Sequence, residues 1–295
     1  MTDETKPLHT ITILGGDVRQ LTAADVLQRH GHTVVVTGFD TYEGIKSRSP
    51  EEALHGADTL LLPIPVIRND RVNLPFSSLK LTVPALLQLL DTADHTLTAV
   101  FGGVLPPTLT EALAARGLRV IDLCEDERFN LLNAIPTAEG ALAVAMEHLP
   151  ITLHGASVAV LGFGRIGKTL CRLLQALGAS VTAVARHEAD LAYAECCGYR
   201  ALSYRELAAA AGHLDLIFNT VPATVVTEDI LTALPPAGRR IIDLASRPYG
   251  VDTDAALRHG VQVIHALSLP GKVAPATAGA IVAQCLERRL EEVRA

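Results

Sequence analysis

The sequence lacks tryptophan and is poor in the other aromatic residues, which together make up 4% of its 295 residues. It also lacks any block of like charge, and its formal net charge is −7. A general polyanion-binding surface is therefore excluded, and the sequence predicts no nucleic-acid partner. An anionic small ligand would instead need a few locally placed cations. No apolar run reaches the ~18 residues that a membrane-spanning helix requires, so we expect a soluble protein.

Cysteine is sparse as well. The five cysteines form no CxxC pair and no zinc-finger spacing, so the sequence predicts no metal site. They indicate ordinary thiols of a reducing compartment. The first ten residues, MTDETKPLHT, are polar and acidic, unlike a secretion signal. We therefore expect a cytoplasmic protein. The cysteines are Cys124, Cys171, Cys196, Cys197 and Cys285.

Short runs rich in β-branched residues alternate with helical stretches along the whole chain, which is typical of α/β architecture with parallel sheets. In the first half, strands are predicted at 10–14, 33–38, 59–63, 97–102 and 118–123, with helices near 19–30, 82–93 and 107–116. In the second half, strands are predicted at 157–162, 180–185, 199–203, 215–219, 239–244 and 261–265. The pattern predicts two doubly wound parallel-sheet domains, the second a Rossmann dinucleotide-binding domain.

Three segments complete the predicted organisation. Residues 68–84 show little periodicity and predict an irregular loop. Residues 136–150 predict a linking helix that begins at Pro136 and stops at Pro150. The last 20 residues are amphipathic and predict a helix that returns to the first domain. Its apolar face comprises Ile281, Val282, Cys285, Leu286 and Val293.

The predicted domain limits follow from these segments. Residues 1–134, with the helix 275–295, form an N-terminal flavodoxin-like domain for substrate and partner. Residues 135–274 form the Rossmann domain, including the linking helix.

A glycine-rich turn, GFGRIG, follows the apolar strand at 157–162 and opens a helix. In that context the G-x-G-x-x-G spacing predicts a dinucleotide site. The first glycine permits the tight turn, the second lets backbone N–H groups approach the pyrophosphate, and the third lets the helix pack close to the strand. The helix N-terminus adds a partial positive charge. The predicted cofactor contacts are Gly162, Phe163, Gly164, Arg165, Ile166 and Gly167.

Arg186 follows the next strand, where NAD-binding domains usually carry an acidic residue that bonds the ribose hydroxyl. A guanidinium can bind the additional phosphate of NADP with two hydrogen bonds, so the sequence favours NADP over NAD. Further cofactor contacts are expected after the fourth and fifth strands of this domain, although Asn219 and Pro222 would also suit a purely turn-shaping role. These residues are Asn219, Thr220, Val221, Pro222, Leu244, Ala245 and Ser246.

The N-terminal domain opens with its own strand, turn and helix, but Gln20 stands where a third glycine would be, so no second dinucleotide is expected. Asp17 and Arg19 place polar groups at the mouth of that sheet. Arg19 and Lys272 are candidates for holding a substrate carboxylate, and Ser246 and Arg247 are candidate polar anchors for a substrate. Arg19 would also suit a solvated first-turn charge. Lys272, brought forward by a turn at Pro270-Gly271, would also suit ordinary surface.

Six motifs occur in a characteristic order: GGDVRQ, NAIPTAEGALAVAMEH, ITLHGASVAVLGFGRIGKTL, FNTVPA, DLASRPYGVD and LPGKVAPATAG. Over residues 10–285 the chain resembles the family formed by the A subunit of bacterial dipicolinate synthase. The resemblance implies a sporulation enzyme of the mother-cell cytoplasm, on a branch of the lysine pathway. It implies an NADP-dependent oxidoreductase that converts dihydrodipicolinate to dipicolinate. It also implies an oligomeric assembly with a second, flavoprotein-like chain, the B subunit of dipicolinate synthase. A dicarboxylate substrate agrees with the three available cations, Arg19, Arg247 and Lys272. The reaction that the resemblance implies also releases a ring proton, for which Asp17 or water is the candidate acceptor.

Two alternatives remain open. The first is an NAD(P)-dependent 2-hydroxyacid dehydrogenase, which needs a histidine paired with a carboxylate near the nicotinamide. The turn LPGKV, where that family carries its histidine, has none, and for His265 and His154 we expect structural roles. The second alternative is a non-catalytic NADP-binding scaffold subunit whose partner performs the chemistry.

Overall fold

The computed structural model describes residues 8–236 and 240–294. The described strands are β1 Thr10–Leu14, β2 Thr33–Thr37, β3 Thr59–Leu61, β4 Ile67–Arg68, β5 Arg71–Val72, β6 Ala99–Gly102, β7 Arg119–Asp122, β8 Ser157–Leu161, β9 Ser180–Ala185, β10 Arg200–Ser203, β11 Leu216–Asn219, β12 Arg240–Asp243 and β13 Gln262–His265. The described α-helices are α1 Val18–Arg29, α2 Pro50–Leu54, α3 Val83–Thr92, α4 Pro107–Ala114, α5 Glu127–His148, α6 Arg165–Ala176, α7 Glu188–Cys196, α8 Tyr204–Ala210, α9 Glu228–Ala233, α10 Thr253–Arg258, α11 Leu269–Val273 and α12 Pro275–Arg294.

The chain divides into two compact units. The first comprises the described part of Met1–Leu132 and Ala274–Ala295, and the second comprises that of Asn133–Val273. The domain limits expected from the sequence stay a proposal. In the part of the chain that the structure describes, no helix has the length and apolarity needed to cross a membrane.

The first unit is built on a parallel five-stranded sheet of order β2-β1-β3-β6-β7. This is the flavodoxin-like order, and its direction reverses between β1 and β3, where such folds bind ligands. The three central strands β1, β3 and β6 are short and largely buried on both faces, as expected for parallel strands covered by helices. At the start of the segment predicted to be irregular, β4 and β5 form a two-residue antiparallel ladder.

The C-terminal helix α12 packs on α1 of the first unit, which confirms the predicted return. Ile281, Val282, Cys285 and Leu286 are buried in the same core as residues of β1 and α1. The approach is close at Gly279, where a Cβ would lie 2.5 Å from the carbonyl oxygen of Arg19. The side chain of Val293, the fifth residue of the predicted apolar face, lies outside the described residues.

The second unit carries a parallel six-stranded sheet of order β10-β9-β8-β11-β12-β13. This is the Rossmann order, with the direction reversing between β8 and β11. One apolar core covers the face that packs against α5 and α6, and a second core covers the face that packs against α8, α9 and α10. The predicted fold class, two doubly wound domains with the second a Rossmann domain, is therefore confirmed.

The linking helix does not begin at Pro136, so that prediction is wrong. Helix α5 begins at Glu127, and Pro136 lies inside it. Asp126 starts the helix, because its side chain accepts a hydrogen bond from the backbone N–H of Phe129 at 3.1 Å. A helix already formed upstream tolerates the proline, which removes one backbone hydrogen bond. Nearby, the Thr137 hydroxyl donates to the carbonyl of Asn133 at 2.7 Å.

The segment LPGKV is also different from its prediction. The sequence predicts a turn at Pro270-Gly271, but residues Leu269–Val273 form the short helix α11. Proline fits the first turn of a helix, where its missing N–H has no partner to lose. The change of direction occurs earlier, at Ser268, whose φ is +58°.

Candidate functional site

The glycine turn between β8 and α6 has the geometry of a dinucleotide cradle. Gly162 has φ +90°, a conformation that L side chains rarely adopt. A Cβ on Gly167 would lie 1.9 Å from the carbonyl oxygen of Gly162, so the helix packs directly on the turn. A Cβ on Gly164, by contrast, would meet nothing within 4 Å. The turn is therefore closely packed on the side of Gly167 and open on the side of Gly164.

The N-terminus of α6 completes this cradle. Gly164 is its N-cap and provides no side-chain hydrogen bond, so it leaves the first backbone N–H groups of the helix available to an anion. Phe163 is buried and packs against the rings of Tyr193 and Tyr199, with centroid distances of 6.2 and 6.1 Å. Arg165 is exposed at the first helical position, and Ile166 is half-buried against the core. A pyrophosphate fits these residues.

Arg186 lies at the same edge of the sheet as the glycine turn. It follows β9, which pairs with β8 through Leu161 and Val184. The guanidinium is exposed and contacts the ring of His187, with Nη2 3.0 Å from Nε2. No carboxylate is among its hydrogen-bond partners within residues 8–236 and 240–294. An exposed cation therefore lies at the sheet edge that carries the glycine turn.

Tyr204, which sequence reasoning missed, lies close to this edge. It begins α8, and burial raises the pKa of its phenol, while the charge of Arg186 acts in the opposite direction. Tyr204 is therefore a neutral phenol near the arginine. The only signal in the sequence is its place directly after the third strand of the domain, where a loop faces the ligand.

Asn219 and Thr220, at the end of β11, shape the turn that follows. The Asn219 amide donates to the carbonyl of Val221 at 3.0 Å, and its oxygen accepts from the backbone N–H of Val221 at 3.1 Å. The Thr220 hydroxyl donates to the carbonyl of Leu161 at 2.8 Å. Pro222 is exposed. The turn-shaping role is thus present, and direct contact with a cofactor stays a prediction for these residues.

Asp243, at the end of β12, is a second residue that the sequence analysis missed. Its side chain is fully buried and accepts hydrogen bonds from the Asn219 amide at 2.7 Å and from the backbone N–H groups of Ala245 and Gly250 at 3.0 Å each. These donors fix the loop that continues from β12. Leu244 and Ala245 are buried in that loop, whereas the next residue, Ser246, is exposed.

A cluster of three side chains lies beside this aspartate: Arg247, Tyr249 and His265. The Arg247 guanidinium carbon lies 5.9 Å from the centroid of the Tyr249 ring. The Tyr249 ring lies against the His265 ring, with a centroid distance of 4.3 Å. His265 Nδ1 is 3.7 Å from Asp243 Oδ2. The loop after β12 and the end of β13 therefore combine one cation, two aromatic rings and a buried carboxylate.

In the first unit, the turn after β1 brings Asp17, Arg19 and Gln20 together. Arg19 is only 5% exposed. Its Nε and Nη2 atoms donate to the Asp17 carboxylate at 2.8 Å each, and Nη2 also donates to the carbonyl of Ile64 at 2.6 Å. Arg19 is therefore not a solvated charge, and its guanidinium is already paired. Its predicted role toward a substrate carboxylate stays a prediction.

The Gln20 side chain is hydrogen-bonded to the same turn. Its side-chain oxygen accepts the backbone N–H of Asp17 at 3.0 Å. Gly16 has φ +91°, and a Cβ there would clash with the Gln20 amide at 2.4 Å. This packing explains why glutamine occupies the position of the third glycine. In the second unit, Lys272 is exposed on α11.

The cysteines described by the structure are free thiols. Burial raises the pKa of Cys124 to about 11 and that of Cys171 to about 12, so neither is a thiolate near neutral pH. Within residues 8–236 and 240–294, no group of three or more His, Cys, Asp or Glu side chains is arranged to hold a metal ion.

Comparison with known proteins agrees with this architecture. Residues 10–124 match the family model of the N-terminal domain of the dipicolinate synthase A subunit. Residues 136–234 match the NAD binding domain of D-isomer specific 2-hydroxyacid dehydrogenases. Fold and glycine turn thus define the class: a nicotinamide-dinucleotide-binding protein of the dehydrogenase type.

The relatives identify the family within that class. The chain is 33% identical to the A subunit of dipicolinate synthase from Bacillus subtilis (strain 168) over 97% of both chains. The crystal structure of the Bacillus halodurans A subunit matches with a TM-score of 0.84 and 32% identity, over 95% of this chain and 97% of that one. The Bacillus subtilis structure matches with a TM-score of 0.83 and 32% identity, over 96% of each chain. This chain belongs to the family of the dipicolinate synthase A subunit.

Proposed function

We propose that this protein oxidises dihydrodipicolinate to dipicolinate with NADP⁺. The observation that carries the choice of cofactor is the exposed guanidinium of Arg186 beside the open glycine turn. An acidic residue at that position would repel a 2′-phosphate, whereas a guanidinium binds it through charge-assisted hydrogen bonds. Membership of the family of the dipicolinate synthase A subunit supports the choice of substrate.

In this proposal, different residues of the second unit bind different parts of the cofactor and the substrate. The backbone N–H groups at the start of α6 hold the pyrophosphate, and Arg186 holds the 2′-phosphate. The exposed guanidinium of Arg247 binds one substrate carboxylate. Bound at the carboxyl ends of the strands, the nicotinamide ring supplies the hydride acceptor. Asp17, Arg19 and Lys272 remain further candidates for the substrate.

We further infer that the protein works with a second chain. The relatives are named as the A subunit of a synthase, which implies at least one more chain in their assemblies. By that relation the partner is the flavoprotein-like B subunit of dipicolinate synthase, and the setting is the mother cell of a sporulating bacterium. The reaction is then a branch from the lysine pathway.

Calorimetric titration tests the cofactor. NADP⁺ and NAD⁺ are titrated separately into the wild-type protein and into Arg186→Asp. Hydrogen bonds to charged groups contribute about 1.5–3 kcal/mol. The variant should therefore bind NADP⁺ roughly tenfold to 150-fold more weakly and bind NAD⁺ no worse. Arg172→Asp, an exposed arginine later on α6, is the matched control for the charge change. Equal affinity of the wild-type protein for both nucleotides would contradict the assignment.

A second candidate function is favoured by one observation. The match of residues 136–234 to the 2-hydroxyacid dehydrogenase domain fits an enzyme that oxidises 2-hydroxy acids. Turnover of a panel of 2-hydroxy acids, with no turnover of dihydrodipicolinate, would favour it. The absence of NADPH formation by this chain, with and without its partner, would favour a non-catalytic scaffold role.

A further inference from the structure

We propose that His265 accepts the proton that the substrate ring loses on aromatisation, and that Asp243 and Tyr249 position its imidazole for this step. The inference rests on the proposed function, and it names a residue for which the sequence suggested only a structural role.

His265 lies at the edge of the sheet where Rossmann domains bind ligands. His265 is the last residue of β13, and its partner in the parallel ladder is Asp243, the last paired residue of β12. Asn219, the last residue of β11, pairs in turn with Asp243. These three residues therefore stand side by side at the carboxyl edge of the half-sheet that follows the reversal of strand order. In Rossmann domains ligands bind outside this edge, and β11–β13 belong to the half opposite the one that carries the glycine turn.

The imidazole of His265 turns Nδ1 toward a buried carboxylate. Nδ1 of His265 is 3.7 Å from Oδ2 of Asp243. The Asp243 carboxylate is fully buried and held by three hydrogen bonds, so its position is fixed. Because the two nitrogens lie on different sides of the imidazole ring, an Nδ1 that faces Asp243 turns Nε2 away from it. At 3.7 Å the two groups do not form a hydrogen bond, but the carboxylate favours the tautomer with its proton on Nδ1, in which Nε2 is the acceptor.

The imidazole of His265 is accessible from outside the protein. The His265 side chain is 31% exposed, and the Tyr249 ring covers one part of it at 4.3 Å between centroids. Tyr249 has φ +72°, a conformation uncommon for a residue with a side chain. The loop held by Asp243 thus places the tyrosine ring against the imidazole and still leaves the imidazole open to a substrate.

The charges around the imidazole suit an anionic substrate. The titratable and charged groups placed beside it are Asp243 on β12, Tyr249 in the following loop and, across the tyrosine ring, Arg247. Arg247 can hold a ring carboxylate while the buried carboxylate of Asp243 stabilises the imidazolium after proton transfer. This is the arrangement that a general base requires: an acceptor, an orienting carboxylate and a substrate anchor.

Aromatisation removes a hydride and a proton from the substrate ring. One C–H bond of the dihydropyridine ring would break, and its hydrogen would leave as hydride, for which bound NADP⁺ would be the acceptor. A proton leaves a neighbouring ring position for Nε2 of His265, and the electrons of that bond complete the aromatic ring. The substrate loses two electrons, NADP⁺ gains them, and the imidazolium afterwards releases its proton to water.

Two variants of His265 test the proposal in the full chain with its partner. His265→Gln should bind NADP⁺ as the wild type does, with kcat lowered by about 10²–10⁴-fold and KM little changed. Wild-type kcat should fall on acidification because an imidazolium accepts no proton, and the variant should lose this limb of the profile. His265→Ala should recover activity when imidazole is added. His213→Gln, at an exposed histidine of the same unit, is the control.

Binding of the product gives a readout that needs no turnover. Pyridine-2,6-dicarboxylate beside an imidazolium should bind the wild type more tightly as the pH is lowered from 8 to 6, and His265→Gln should lose this dependence. An active His265→Gln protein with an unchanged pH profile would overturn the proposal. So would an inactive His265→Ala protein that imidazole does not rescue and that retains pH-dependent product binding. If the wild-type protein binds neither NADP⁺ nor product, the proposed function falls, and the role of His265 falls with it.

Discussion

Two glycines of the β8–α6 turn should respond in opposite ways to the same substitution. Alanine at Gly164 places its Cβ in open space, with nothing within 4 Å, and the residue already has an extended backbone with φ −86°. Alanine at Gly167 places its Cβ 1.9 Å from the carbonyl oxygen of Gly162. Only Gly167→Ala should therefore damage the fold, and only Gly164→Ala should damage the cofactor site selectively.

The magnitudes follow from these distances. Carbon and oxygen atoms in ordinary contact are more than 3 Å apart, so the Gly167 variant must move backbone by about 1 Å or more, and overpacking of this kind costs about 1–3 kcal/mol. Gly164→Ala makes the unfolded chain less flexible, which raises the free energy of unfolding by about 0.4–1 kcal/mol. Alanine is also a poorer N-cap than glycine, which lowers the free energy of unfolding by a similar amount. The stability of the Gly164→Ala protein should therefore stay within about 0.5 kcal/mol of the wild type.

Thermal unfolding and NADP⁺ calorimetry measure the two effects on the same samples. Gly167→Ala should lower Tm by about 2–12 °C, since each kcal/mol shifts Tm by about 2–4 °C in a protein of this size. Gly164→Ala should unfold at nearly the wild-type Tm and bind NADP⁺ at least about tenfold more weakly, because its methyl group occupies the space of the pyrophosphate. Unchanged NADP⁺ affinity in a folded Gly164→Ala protein would show that the pyrophosphate does not approach Gly164.

Three further predictions concern buried polar groups and thiols. Burial lowers the pKa of His32, so the folded state binds fewer protons than the unfolded state, and unfolding free energy should fall as the pH drops below about 6.5. Urea titrations at pH 7 and pH 5 should show a smaller loss of unfolding free energy in His32→Gln than in the wild type, and an equal loss in both would contradict this. Arg19→Met should destabilise the protein by about 1–3 kcal/mol, the cost of leaving a buried polar partner unsatisfied. This is less than the about 3–5 kcal/mol for a fully buried pair because Asp17 is partly exposed, and an unchanged urea midpoint would count against the pairing. Iodoacetamide at pH 8 should modify the exposed Cys196 and leave Cys171 unmodified in the folded protein, and equal labelling would show that Cys171 is accessible.

Most of the fold could be predicted because the signals are local. Runs of β-branched residues bounded by turns marked the strands of both sheets, and GFGRIG marked the reversal of strand order in the second unit. Pro136 does not indicate the start of α5, because Asp126 caps the helix further upstream and the proline lies inside it. The short helix at Leu269–Val273 could not be predicted, because proline and glycine are typical both of turns and of the ends of helices.

The candidate site was less predictable because its contacts are tertiary. Asp243 and His265 are distant in the sequence and meet only because β12 and β13 are neighbours in matched register. Tyr249 contacts His265 and itself has a positive φ, a backbone conformation that the sequence does not indicate. In the first unit, the sequence placed Asp17 and Arg19 at a sheet edge but not the pairing between them, which only side-chain geometry shows.

Turnover of a defined substrate is the decisive test of the proposed reaction. The purified chain, alone and with its partner, is given dihydrodipicolinate with NADP⁺ or with NAD⁺, and reduced nicotinamide absorbance and dipicolinate are measured together. We expect equimolar formation of NADPH and dipicolinate, faster with NADP⁺ than with NAD⁺, and a loss of that preference in Arg186→Asp. Dipicolinate formation that proceeds without either nucleotide, or faster with NAD⁺ in the wild-type protein, would contradict this expectation.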